Sequence, residues 1–81
     1  MDTATCTDIQ IFVRLTRAAR EASLPNATKG VIYRTLELLA CDIATPAGHG
    51  TYARLAQMTH DDPVVREVVG PYLPALAGLL R

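Results

Sequence analysis

Eighty-one residues carry eight basic and eight acidic side chains, so the chain is one neutral domain at most. A neutral chain has no global field to gather nucleic acid or an anionic membrane. Hydrophobic residues make up 49% of it, yet there is no Trp and only one Phe, so any core is built from medium-sized aliphatic side chains.

The first predicted helix runs from Asp8 to Ser23, with Thr7 as N-cap and Asp8 complementing the positive helix end. At about 100° per residue, Ile11, Phe12, Leu15, Ala18, Ala19 and Ala22 share a face. Arg14, Arg17, Arg20 and Glu21 fall opposite, while Ile9 and Val13 lie near the polar side and suggest a second contact surface. Leu24-Pro25 ends the helix, because a residue before proline is pushed out of helical geometry.

The second helix is predicted over Thr28–Ala44, capped by Asn26 or Thr28. Ile32, Leu36, Leu39 and Ile43 recur at four, three and four residues, an apolar stripe at helical pitch. Val31 and Leu38 form a second stripe, Tyr33 and Ala40 widen the first, and Arg34, Glu37 and Cys41 occupy a narrow polar strip. So much apolar circumference marks a central helix or one that also meets a partner.

Thr45–Gly50 reads as a loop by its proline and two glycines. A third helix follows Thr51 and ends near His60, with Tyr52, Leu55, Ala56 and Thr59 on one side. Asp62-Pro63 then restarts a helix, since Asp is a favoured N-cap and Pro a favoured first residue. This fourth helix, Pro63–Val69, places Val64, Val65, Val68 and Val69 inward, and Gly70 suits a left-handed stop. Pro71 opens a last segment, Tyr72–Leu80, in which Pro74 sits within the first turn and Leu73, Leu76, Leu79 and Leu80 either close the core or dock on another chain. The expected fold is therefore all-α: a compact orthogonal or up-down bundle of four to five short helices in a single domain spanning residues 1–81.

The candidate chemistries are thin. Tyr52–His60 followed by Val64–Val69 has the lengths of a helix-turn-helix, the alternative to an interaction role. Against DNA binding, Asp61 and Asp62 stand where phosphates would approach, and the second helix offers only Arg66 and Glu67 as polar side chains. Arg14, Arg17, Arg20, Lys29 and Arg34, with Glu21 alone among them, make either a docking patch for an acidic surface or an ordinary solvated helix face. No aromatic residue interleaves with Arg14, Arg17 and Arg20 in sequence, which leaves single-strand stacking with little support.

Zinc would need close ligand pairs, and Cys41, His49, His60 and Asp61 do not supply them. Cys41 with His49 or His60 and Asp61 or Asp62 makes a catalytic set on paper only, because Cys41 sits mid-helix without an anion-stabilising turn, and the Pro46–Gly50 loop lacks the Lys of a phosphate cradle, so neither an enzyme nor a cofactor is expected. Cys6 and Cys41 are too few for a disulfide framework and could pair only if the N-terminus packs beside the second helix.

Met1–Thr7 contains Asp2 and no basic residue, unlike a secretory signal, and the longest uncharged stretch, Val68–Leu80, is interrupted by two prolines. The expectation is a cytoplasmic protein that binds no membrane.

A chain this small buries only about 60% of its unfolded surface, so pairing with a second copy would help to complete a core. The sequence therefore points to a non-enzymatic protein-interaction or regulatory module acting on a protein partner or as a homodimer, with nucleic acid disfavoured. Its expected contact residues are Arg14, Arg17, Arg20, Val31, Leu38, Leu73, Leu76 and Leu80.

Overall fold

The computed structural model describes residues 3–80, and the side chains of residues 9–80. Five α-helices follow one another: α1 (Thr3–Glu21), α2 (Asn26–Asp42), α3 (Ala47–Asp61), α4 (Pro63–Val69) and α5 (Leu73–Leu79). A 3-10 turn, Gly70–Tyr72, joins the last two, and no strand occurs among the described residues.

The core takes part of each stripe that the helical spacing picks out, while Ile43, expected on the α2 stripe, lies past the end of that helix and is only half-buried. Leu15 and Ala19 of α1, Ile32, Leu36 and Leu39 of α2, Leu55 of α3, Val65 and Val69 of α4, and Leu76 of α5 are buried together with Leu24. Each large aliphatic side chain contributes about 1.5–3 kcal/mol on leaving water. α1 packs against α2, α4 and α5, and α2 lies along α3. The Cα radius of gyration is 12.0 Å, close to the ~12 Å expected of a closed globule of this length. Buried polar side chains are satisfied locally: Thr35 Oγ1 donates to Val31 O at 2.7 Å and Thr59 Oγ1 to Ala56 O at 2.7 Å. No buried side-chain nitrogen or oxygen among the described residues lacks a partner.

The elements differ from expectation mainly at their ends. The α1 backbone is helical from Thr3, so Thr7 lies inside the helix and does not cap it. α2 begins at Asn26 behind Pro25, with no side-chain cap, so neither Asn26 nor Thr28 caps it. The segment read as a loop is helical from Ala47 onward. Packing overrides its loop-like composition: Gly48 is buried, and a Cβ there would lie 2.6 Å from the Asp42 carbonyl oxygen at the end of α2. Gly70 has φ −50°, in the right-handed region, because the chain runs on into the 3-10 turn with Pro71 in its first turn.

The α3–α4 corner forms as its local chemistry requires. Asp62, extended at φ −124° and ψ 115°, accepts hydrogen bonds from Val64 N at 2.9 Å and Val65 N at 3.3 Å. Pro63 fills the first helical position, where its missing N–H costs nothing. Arg66 reaches back one turn, donating from Nε to Thr59 O at 3.2 Å and from Nη2 to His60 O at 2.8 Å, which satisfies carbonyls at the end of α3.

Candidate protein-binding face

Helical pitch shows which residues share a face; the tertiary fold decides which faces remain uncovered. Leu76 is fully buried in the core and has no surface to give a partner, which corrects its place among the expected contact residues. Leu73 and Leu80 are half-buried against that core, and Tyr52 Oη donates to Leu73 O at 3.3 Å, fastening the last segment to α3. The leucine-rich tail therefore closes the fold. Val64, expected inward, is 41% exposed, because α4 is so short that only its Val65–Val69 edge meets the core.

The large hydrophobic side chains left in water gather on the first two helices. Ile9 is 58% and Val13 49% exposed on α1; Val31 is 52% and Leu38 40% exposed on α2. Val31 and Leu38 lie seven residues apart on the side of α2 away from the core. Ile9 and Val13 lie on a different flank, next to a groove between α1 and α2. Phe12 and Thr16 form one wall of the groove, and Tyr33, Leu36, Glu37 and Ala40 form the other. Its volume is about 280 Å³, room for one large side chain and below the 300–1,000 Å³ usual for a ligand pocket.

The two helices are held at their turn by Lys29, whose Nζ donates to Arg20 O at 2.6 Å. A cation on a C-terminal carbonyl also complements the negative end of α1. Because the helices are antiparallel about this turn, Tyr33 comes level with Thr16, and Ala40 lies toward Ile9. Arg14, Arg17 and Arg20 are exposed and fan over about 120° of α1, with Arg20 nearest the groove and Arg14 furthest from it. Arg34 is exposed on the α2 rim, and among the described residues the one acidic side chain lining the groove is Glu37.

Sequence spacing missed this groove, assigning Phe12 to the core face of the first helix and Tyr33 to the flank of the second. The available signal was the short Ser23–Pro25 connection, which makes the first two helices antiparallel neighbours and brings their flanking aromatics together.

A single residue, Asp62, separates α3 from α4, where a helix-turn-helix uses a turn of three or four. Arg66, the one cation of α4, is engaged by the carbonyls of α3. No group of three or more His, Cys, Asp or Glu among the described residues could hold a metal ion. Cys41 is exposed on α2, and its pairing with Cys6 lies outside the described side chains. Among the described residues, no helix is long and apolar enough to cross a membrane. No family model, curated protein or solved structure matches the chain.

Proposed function

We propose that this chain is a small non-enzymatic interaction module, acting as an adaptor, inhibitor or subunit, that docks on another protein through the outer face of α1 and α2. One observation carries the reading: Ile9 and Val13 stay half-exposed although the core closes without them. Apolar side chains clustered in water without a structural task are characteristic of partner surfaces. The neighbouring groove and arginines extend this patch into one with shape and charge.

The test is site-specific photo-crosslinking in the native cells, with the probe at Val13 and, as control, at exposed Ala53 of α3. A discrete protein adduct from position 13 and none from position 53 supports the proposal. Absence of adducts, or the same adducts from both positions, refutes it.

Pairing with a second copy is favoured by a separate feature, the exposed Val31–Leu38 strip, which a second α2 could cover. Light scattering across concentration should then give a dimer that Leu38→Glu returns to monomer. A wild-type monomer at every concentration removes this reading.

A further inference from the structure

The α1–α2 groove is concave, apolar and rimmed by cations. Its apolar surface comes from Phe12, Leu36, Tyr33 and Ala40. Arg17 and Arg20 stand on the α1 side and Arg34 on the α2 side, all exposed, with Glu37 the one acid among the described residues of the lining. Ile9 and Val13 extend the apolar surface along the α1 lip.

Three classes of occupant meet this chemistry differently. A second copy presenting the same face would set arginines against arginines, which costs affinity. A bilayer is convex to nothing so small as this notch, and anchoring in it favours bulky Trp, Phe and Leu side chains, whereas the protruding residues here are one Ile and one Val. An amphipathic helix offers both missing parts: an apolar side chain of the size of the notch, and carboxylates one turn to either side.

We propose that the α1–α2 groove receives an acidic amphipathic helix of a partner protein. One large apolar side chain of that helix enters the notch between Phe12 and Tyr33. Its neighbours at three and four residues lie along Ile9 and Val13, and its carboxylates meet Arg17, Arg20 and Arg34. The inference rests on the interaction reading above and names the partner's chemistry.

The experiment uses the full chain and a fluorescein-labelled twenty-residue helical peptide with Leu at positions spaced three and four apart and Glu elsewhere on the contacting side. Fluorescence anisotropy is read alongside a control peptide carrying Lys for Glu, a thymidine oligonucleotide, and vesicles containing phosphatidylserine. The Glu peptide should bind at least tenfold more tightly than the Lys peptide, and its affinity should fall at least fivefold between 20 and 300 mM salt, as screening of rim charges requires. Ala40→Glu, which blocks the notch at an exposed position, and the double variant Arg17→Glu/Arg20→Glu should each weaken binding at least tenfold, with unchanged helical circular dichroism. No binding, equal binding of both peptides, tighter binding of the oligonucleotide or the vesicles, or indifference to both folded variants overturns the proposal. A specific adduct from position 13 together with any of those results removes only the acidic-helix partner and leaves the interaction reading intact.

Discussion

Gly48→Ala is a demanding test of how α2 and α3 meet. An added Cβ would sit 2.6 Å from the backbone oxygen of Asp42, 3.2 Å from its carbonyl carbon and 3.2 Å from Leu80 Cδ2. The leucine tip can rotate away, but the Asp42 oxygen is backbone and accepts from both Thr45 N and Thr45 Oγ1, each at 2.9 Å. Real Cβ atoms keep at least 3.0 Å from such an atom, so the end of α2 must retreat by roughly 0.4 Å and strain those bonds. Overpacking of this kind costs about 1–3 kcal/mol. Replacing glycine inside a helix returns about 0.5–1 kcal/mol, leaving a net loss of up to about 2.5 kcal/mol and centred at about 1 kcal/mol. Gly50, two residues along the same helix, has nothing within 4 Å of its would-be Cβ, so Gly50→Ala should gain about 0.5–1 kcal/mol. Urea unfolding followed by circular dichroism separates the two variants. With a slope of about 1 kcal/mol per molar urea, their midpoints should differ by about 2 M. A Gly48→Ala midpoint equal to or above that of Gly50→Ala would refute the close α2–α3 approach.

Leu36→Ala should cost about 2–5 kcal/mol, while Leu38→Ala, two residues away on the exposed side, should cost under about 1 kcal/mol; equal losses in urea melts would mean that α2 is turned differently. Asp62→Ala should lose about 0.5–2 kcal/mol of stability, and Asp62→Asn much less, because the amide oxygen still accepts from Val64 and Val65; matching thermal midpoints for the two variants would deny the cap. Tyr52→Phe removes the hydroxyl that reaches Leu73 O and should lower stability by about 0.5–1.5 kcal/mol, with faster amide exchange in α5; unchanged exchange there would show that the tail is held by apolar contacts alone.

Where local chemistry decided structure, the sequence was a sufficient guide. Asp62-Pro63 places the start of α4 and its cap correctly, and the four-three spacing of Ile32, Leu36 and Leu39 marks the buried side of α2, while Ile43, next in that series, falls past the helix end and is only half-buried. Where tertiary packing decided, local signals misled. Pro46, Gly48 and Gly50 read as a loop, yet Gly48 serves close helix packing, and Pro46 simply precedes the first turn of α3. The same limit applies to the binding face. Periodicity grouped Val31 with Leu38 and set Ile9 and Val13 apart from the core, all of them exposed in the fold. It had no means of telling that the equally regular Leu76 would be covered by the other helices, or that Phe12 and Tyr33 would open into a groove between them.

The corner around Asp62 ties two helices in both directions: its carboxylate holds the beginning of α4, and Arg66 from within α4 grips the end of α3. Such an elbow has no slack. An extra residue inserted beside Asp62 would move the carboxylate and the guanidinium out of register together. The pair of helices behaves as one bent strut, and Val65 and Val69 reach α1 already aimed by the bend.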